Sequence, residues 1–161
     1  MSGKIRTVLP LVGGILVLDQ ITKALVVRAL DVHESVPIIE SFFHLTLVYN
    51  TGAAFGLLAH TPAWFRQPFF LLATGVAVFA LLLFLRRTDE ADRPTVLSIA
   101  AIIGGAVGNL IDRLRYGHVI DFLDFHWRGY HWPAFNVADT CITLGVIGIL
   151  WVSLWDGRAR A

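Results

Sequence analysis

Four long apolar stretches constrain this chain of 161 residues more than any other feature of its sequence. They cover residues 8–30, 69–85, 96–111 and 137–155. A helix needs roughly 20 apolar residues to cross a bilayer, and shorter stretches are tolerated with local adjustment. Because hydrocarbon offers backbone N–H and C=O groups no water to bond, each stretch is expected to be helical. The sequence therefore predicts an all-α membrane bundle of four transmembrane helices, forming a single integral membrane domain over 1–161.

The composition agrees with a membrane protein and argues against several other classes. Hydrophobic residues make up 56% of the chain and charged residues 16%, where a soluble domain has about 25% charged residues. The formal net charge of +1 gives no indication of a nucleic-acid partner. Cys141 is the only cysteine, so no intramolecular disulfide can form, and its apolar surroundings favour a small buried residue over a nucleophile.

The distribution of lysine and arginine predicts how the four spans are oriented. One side of the membrane would carry Lys4, Arg6, Arg86, Arg87, Arg93, Arg158 and Arg160. The other side would carry Arg28, Arg66, Arg113, Arg115 and Arg128. The more basic side is expected to be cytoplasmic, which places both termini there and the longer segments 31–67 and 113–135 on the outer face.

The first outer segment contains a strand pattern. In "FFHLTLVYN" the residues alternate, with Phe43, Leu45, Leu47 and Tyr49 on one face and His44, Thr46, Val48 and Asn50 on the other. The small residues of "TGAAFG", Gly52 among them, allow a tight turn and the close approach of another chain. The pattern favours a small extracytoplasmic β platform lying on the membrane. A short surface hairpin without a function is the alternative.

Ionisable residues inside the first and third stretches also need an explanation, because they are costly in hydrocarbon and usually mark a site. Asp19 and Lys23 are four residues apart and share a helix face, so they either neutralise each other or brace a site. Asn109 and Asp112 are three apart and also share a face. Arg113 can pair with a carboxylate through its guanidinium fork, and for Asp112 with Arg113 structural bracing is favoured over chemistry.

Asp139 and Asp121 suggest an aspartate pair. Asn136 and Asp139 open the fourth stretch, where helix capping is a sufficient explanation for both. However, Asp121 lies in the segment that joins the third and fourth spans, so it starts from the same membrane face and can meet Asp139. Two adjacent carboxylates do not both ionise easily, and such a pair can activate water and polarise a carbonyl. The hypothesis is a membrane enzyme that hydrolyses peptides by acid–base chemistry.

Other chemistries have weaker support. The sequence has no HExxH, and His126 and His131 are five apart in an aromatic segment, so no metal or cofactor is expected. It has no GxSxG motif for a serine nucleophile. Gly104 and Gly108 form a GxxxG pattern inside an apolar run, which is typical of close helix packing.

Four segments together resemble the motifs of the lipoprotein signal peptidase (signal peptidase II) family of bacterial membrane aspartic proteases. They are "DQITK" at 19–23, "YNTGAAFG" at 49–56, "GNLIDRLRYGHVIDF" at 108–122 and "FNVADTCI" at 135–142. The resemblance implies an enzyme of bacterial lipoprotein maturation in the cytoplasmic (inner) membrane. Such an enzyme removes signal peptides from diacylglyceryl-modified prolipoproteins, cutting just before the lipidated cysteine, with its site at the outer face.

The resemblance also implies roles for individual residues. The catalytic aspartates fall on "VIDF" and "NVAD", which are Asp121 and Asp139. Residues expected to line or brace the site are Asp19, Lys23, Asn50, Gly52, Asn109, Asp112, Arg113 and Asn136. Asp124 in "LDF" is a reserve candidate for Asp121, and segment 122–134 is a candidate lid. The site looks complete in one chain, so a monomer working on prolipoprotein and membrane lipid is expected.

Two other classes compete with this interpretation. A transport protein would use the buried acids to relay protons or ions, and Asp19 with Lys23 is the best argument for it. A non-enzymatic binding module would use the outer strand as a platform for a partner. The peptidase is favoured over both because the acids gather near one membrane face.

Overall fold

The computed structural model describes residues 3–53 and 57–159, except for the side chains at 131 and 156–159. Its elements, in chain order, are α1 (Gly3–Ala29), β1 (Ser35–Ile39), β2 (Phe43–Asn50), α2 (Ala63–Arg87), α3 (Arg93–Tyr116), β3 (Val119–Trp127), β4 (Tyr130–His131) and α4 (Val137–Ala159). All four helices are long and apolar enough to cross a membrane. The predicted bundle of four membrane helices with a small sheet is therefore confirmed.

The helices extend beyond the apolar stretches that predicted them. Helix α2 begins at Ala63 rather than at residue 69, and Pro68 lies inside it rather than ahead of it. Helix α3 continues to Tyr116, so residues 113–116 belong to the helix and not to the outer segment. Hydropathy marks only the part of a helix in hydrocarbon, and proline is tolerated inside membrane helices. The segments between the spans, predicted to lie on the outer side, are correspondingly shorter than expected.

Helix α3 is the centre of the bundle and packs against the other three helices. A Cβ atom at Gly104 would lie 3.1 Å from Ile15 of α1, and one at Gly108 would lie 2.8 Å from the Asp19 carboxylate. On the other side of α3, a Cβ atom at Gly105 would overlap the backbone carbonyl of Ala138 in α4. The close helix packing predicted from the GxxxG pattern is confirmed. It also brings an acid of α1 against the backbone of α3.

The four strands form one antiparallel sheet in the order β1-β2-β3-β4. The predicted strand is confirmed as β2. Residues 122–127, the first part of the candidate lid, belong to β3, in which Leu123 to Phe125 pair with β2 and His126 and Trp127 pair with β4. The lid itself stays a prediction. The turn prediction for "TGAAFG" falls partly on residues 54–56, outside the described residues.

The sheet packs on one end of the bundle, called here the sheet end, where α1 and α3 finish and α4 begins. Val26 of α1 forms an apolar cluster there with Leu47, Ile120 and Phe122 of the sheet. At the opposite end, Lys4 donates hydrogen bonds to three backbone carbonyls around the end of α2. Cys141 is half-buried in α4 rather than buried.

Candidate active site

A buried ion cluster of Lys23, Asp19 and Asp112 lies at the sheet end. The Lys23 ammonium is 2.9 Å from Asp19 Oδ2 and 2.7 Å from Asp112 Oδ2, and it donates to Asn109 Oδ1 at 3.0 Å. Lys23 is 2% exposed and both acids are fully buried. Buried charges are tolerated when they are paired and hydrogen-bonded, and here each ammonium N–H has an oxygen partner. The predicted pairing of Asp19 with Lys23 is confirmed, with Asp112 as an additional member.

The two acids of the ion cluster tie separate elements together. Asp19 Oδ1 accepts the backbone N–H of Ala138 at 3.0 Å, in the first turn of α4, where a negative charge is favourable. Asp112 Oδ2 accepts the backbone N–H of Ile120 in β3 at 3.2 Å. Gln20, which the sequence did not single out, donates to Asp112 Oδ1 at 2.9 Å. A polar residue beside Asp19 in an apolar run was the only signal for it.

Asn109 connects the ion cluster to Asp139. Its carbonyl oxygen accepts from Lys23 at 3.0 Å and from Asn136 Nδ2 at 3.1 Å. The lysine therefore fixes the orientation of the Asn109 amide. The amide nitrogen, Asn109 Nδ2, donates to Asp139 Oδ1 at 2.7 Å. Asn109 and Asp112 act from the same face of α3, as their spacing predicted.

Asn136 caps α4 and also holds Asp121. The Asp139 N–H donates to Asn136 Oδ1 at 2.9 Å, and the Asn136 N–H donates to Asp139 Oδ2 at 3.3 Å, which is a reciprocal capping arrangement. The Asn136 side-chain nitrogen donates to Asp121 Oδ1 at 2.7 Å. The capping explanation is correct, and the same fully buried residue bonds both Asp121 and Asp139.

Asp121 is held only by neutral groups. It is 2% exposed, and Oδ2 accepts from Asn50 Nδ2 of β2 at 2.9 Å. No salt bridge reaches Asp121 or Asp139 within residues 3–53 and 57–159. Burial and the negative charge of Asp139 raise the pKa of Asp121 to about 7, although the hydrogen bonds from Asn50 and Asn136 oppose this rise. The carboxyl group therefore titrates near neutral pH.

Arg113 has a different partner from the one expected. Asp112 forms its salt bridge with Lys23 and not with Arg113, so the two residues do not act as a pair. The bracing role expected of each remains a prediction. Arg113 instead donates to the backbone carbonyl of Gly52 at 2.7 Å, with its guanidinium 4.1 Å above the Phe70 ring of α2. Sequence neighbours on a helix point in different directions, so adjacency alone did not determine the pairing.

Gly52 lies in the tight turn that follows Asn50. A Cβ atom there would lie 2.6 Å from the carbonyl oxygen of Leu57, so a side chain does not fit. The Gly52 N–H donates to Asn50 Oδ1 at 3.0 Å, which leaves the Asn50 amide nitrogen facing Asp121. Together with the bond from Arg113, this turn orients Asn50 toward the acid pair.

Asp124, the reserve candidate, is placed elsewhere in the sheet. It lies three residues beyond Asp121 on β3, so its side chain leaves the opposite face of the strand. It accepts a hydrogen bond from Thr46 Oγ1 of β2 at 3.0 Å. The structure brings Asp121, and not Asp124, to Asn136. Throughout the described part of the chain, no three His, Cys, Asp or Glu side chains are arranged to hold a metal ion.

Comparison with known proteins gives a consistent result. The family model of signal peptidase (SPase) II matches residues 11–155. The lipoprotein signal peptidase of Syntrophotalea carbinolica is 48% identical, over 91% of this chain and 89% of its own length. That of Desulforapulum autotrophicum is 52% identical, over 83% of this chain and 82% of its own length.

Solved structures show the same architecture. A bacterial membrane enzyme determined by the in meso method at 2.3 Å resolution matches with a TM-score of 0.88 and 31% identity, over 98% of this chain and 93% of that chain. A second, determined at 1.9 Å by the same method, matches with a TM-score of 0.82 and 32% identity, over 93% of this chain and 94% of that chain.

Proposed function

This chain belongs to the signal peptidase II family, and we propose that it is an aspartic endopeptidase that removes signal peptides from diacylglyceryl-modified prolipoproteins. The observation that carries the proposal is the pair Asp121 and Asp139, in which two largely buried carboxylates are bonded only to amide groups. An acid pair of this kind can carry one proton between its members, which acid–base hydrolysis of a peptide bond requires.

In the proposed reaction, Asp121 is the member that starts with the proton, in keeping with its pKa of about 7. Asp139 takes a proton from water, and the resulting hydroxide attacks the scissile carbonyl carbon while Asp121 protonates the carbonyl oxygen. The tetrahedral diol then collapses, the C–N bond breaks, and Asp139 passes its proton to the leaving nitrogen. The diol returns a proton to Asp121, which restores the starting state.

Asn50, Asn109 and Asn136 serve as positioning residues in this scheme. Each donates to one of the two acids, and their hydrogen bonds fix the carboxylate planes without adding a charge. A cation in their place would lower the pKa of Asp121 and remove its proton at neutral pH. Amides hold the acids and leave the proton exchangeable.

The substrate would reach this site along the membrane surface. The acids lie where β3 meets the start of α4, next to the sheet and near the ends of the spans. Trp64 and Phe65, both exposed at the start of α2, are suited to the lipid–water boundary. A lipid-modified cysteine and an apolar signal helix would both partition to this depth. With both termini cytoplasmic, the site faces outward in a bacterial inner membrane, and one chain suffices.

The test uses purified protein in detergent and a diacylglyceryl-modified prolipoprotein, with cleavage followed by the mass shift of the product. Asp121→Asn and Asp139→Asn are each expected to lower the cleavage rate at least about 100-fold, because each removes one proton-transfer group. Asp124→Asn is the matched control on the same strand and should keep the rate of the parent.

Thermal unfolding of the three variants separates lost chemistry from lost fold. Parental cleavage rates in both Asp121→Asn and Asp139→Asn would reject the acid pair. Loss of cleavage in Asp124→Asn, with activity kept in Asp121→Asn, would transfer the role to Asp124. An unlipidated precursor in the same assay should remain uncut, and equal cleavage of both precursors would reject the lipidated substrate.

A further inference from the structure

A cavity lies at the sheet end, on the other side of the sheet from the acid pair. It has a volume of about 380 Å³. Arg28 from the last turn of α1 and Arg115 from the last turn of α3 line it, together with Tyr49, Tyr116 and His118. We call it the two-arginine cavity.

Strand alternation separates this cavity from the acid pair. Tyr49 and Ile120 are directly opposite each other in β2 and β3, and both line the cavity. Their chain neighbours, Asn50 and Asp121, bond to each other from the opposite face of the sheet. Neither Asp121 nor Asp139 lines the cavity. A ligand here would therefore not be the peptide that is cut.

The cavity carries uncompensated positive charge. Lys23 and Asp112 also line it, and their ion cluster holds one ammonium and two carboxylates, so the two arginines leave one positive charge in excess. The guanidinium groups of Arg28 and Arg115 have neither a salt bridge nor a hydrogen bond to any described residue. Two like charges at one cavity repel each other unless an anion lies between them. The charge balance of the site is completed by a ligand of negative charge.

Aromatic rings give the cavity a preformed wall. The His118 ring lies 4.2 Å from the Tyr49 ring and 6.0 Å from the Tyr116 ring, centroid to centroid. The Arg115 guanidinium lies 5.6 Å from the Tyr116 ring centroid, which positions the arginine and leaves its N–H groups available. Burial lowers the pKa of His118, so the imidazole is neutral at neutral pH and contributes a ring to the wall without adding a charge.

The depth of the cavity indicates what kind of anion fits. Both arginines lie in the final turns of membrane-spanning helices, at the level of lipid headgroups. On the bilayer side, Ala24 and Val27 give the lining an apolar surface. Guanidinium groups bind phosphate through paired N–H donors, and tyrosine is suited to the boundary between headgroup and hydrocarbon. We propose that the two-arginine cavity binds the phosphate headgroup of an anionic phospholipid.

The experiment measures lipid binding by native mass spectrometry of the full-length protein in detergent, titrated with phosphatidylglycerol or with phosphatidylcholine. The parent is expected to retain phosphatidylglycerol in preference to phosphatidylcholine. Arg28→Gln/Arg115→Gln should weaken phosphatidylglycerol binding at least about tenfold, because two charge-assisted contacts are lost. Arg6→Gln/Arg87→Gln removes the same charge from exposed positions at the opposite end of the bundle and should leave this binding unchanged.

Three results would overturn the proposal. Equal retention of the two lipids would reject an anion site, and unchanged binding in Arg28→Gln/Arg115→Gln would reject this cavity. Displacement of phosphatidylglycerol by millimolar inorganic phosphate would show that free phosphate, and not a lipid headgroup, is the ligand. Both arginines are exposed, and a circular dichroism melt checks that the variants fold. None of these measurements depends on cleavage, so their outcome is separate from that of the peptidase assay.

Discussion

Two pairs of aspartates lie at the sheet end, all four buried or half-buried, and their carboxylates have different hydrogen-bond and ion-pair partners. Asp19 and Asp112 share the Lys23 ammonium, whereas Asp121 and Asp139 receive hydrogen bonds from amides alone. The ion cluster has an internal countercharge and ties helices to the sheet. The acid pair has no salt bridge to a described residue, and although Arg113 and Lys23 act on it electrostatically, the pKa of Asp121 rises to about 7. The difference indicates that one pair serves the fold and that the other is free to exchange a proton.

Removing the shared cation should have the largest effect on the fold. Lys23→Met leaves two fully buried carboxylates without a countercharge, and the free energy of unfolding should fall by about 3–5 kcal/mol. Thermal or denaturant unfolding in detergent measures the loss. In the triple variant, where Asp19 and Asp112 also become Asn, part of the stability should return. A Lys23→Met protein as stable as the parent would contradict a structural role for the ion cluster.

The next largest effect should be that of raising the pH, which removes the proton from Asp121 and lowers kcat/KM. Below a pKa of about 7 Asp121 holds its proton, and above it the protonated fraction falls about tenfold per pH unit. If Asp121 is the proton donor, kcat/KM for the lipidated precursor should fall by the same factor with an alkaline midpoint near pH 7.

The folded state also binds this proton between the ordinary carboxyl pKa of 3.8 and about 7, where the unfolded chain releases it. The free energy of unfolding should therefore decrease as the pH rises through that window. A flat kcat/KM from pH 6 to pH 9 would contradict the assignment of Asp121 as the donor.

Removing the side chain that bonds both members of the acid pair should have an intermediate effect. Asn136→Ala removes the helix cap and the hydrogen bond to Asp121, so the free energy of unfolding should fall by about 2 kcal/mol. That hydrogen bond holds the pKa of Asp121 down, so the alkaline midpoint of kcat/KM should move upward in the variant. A midpoint that stays in place would show that Asn136 does not act on Asp121.

The smallest effect should come from removing Gln20, which donates hydrogen bonds to the two acids of the ion cluster. Gln20→Leu removes a donor to Asp112 and to Asp19, at a cost of about 1 kcal/mol in the free energy of unfolding. Gln20 does not contact the acid pair, so the alkaline midpoint of kcat/KM should be the same as in the parent. A shifted midpoint would mean that the two pairs are less separate in function than their partners suggest.

The sequence predicted the fold well for the segments inside the bilayer, which must be apolar and helical. Long apolar runs located all four helices, and the GxxxG pattern predicted close helix packing at α3, which the structure shows against α1. The errors concern a strand that is buried on both faces and helices that continue beyond their apolar stretch. β3 was missed because Val119 to Phe122 are all buried, so the strand has no alternation to detect. β1 contains Pro37 and is exposed along its length, which is typical of an edge strand with a weak signal.

For the site, spacing predicted which residues share a helix face but not what they would meet across the bundle. Asp19 with Lys23, Asn109 with Asp112 and the cap of α4 all follow from spacing along one helix. Two contacts depend instead on how α1 and the turn at Gly52 pack on α3. They are the salt bridge of Lys23 with Asp112 and the hydrogen bond of Arg113 to Gly52. Those contacts join residues far apart in the chain, and no local pattern encodes them.

The hydrogen bond from Ala138 N–H to Asp19 has a consequence for how the protein is made. It joins α1 to α4. Asp19 enters the membrane with the first span, whereas its hydrogen-bond donor, the Ala138 N–H, is translated more than a hundred residues later. Until α4 docks, Asp19 lacks that partner, and Asp121 and Asp139 have not met. If these two acids are the catalytic pair, the chain acquires its activity only after its last span has inserted, and a product truncated ahead of α4 keeps the Asp19–Lys23 salt bridge but has no site.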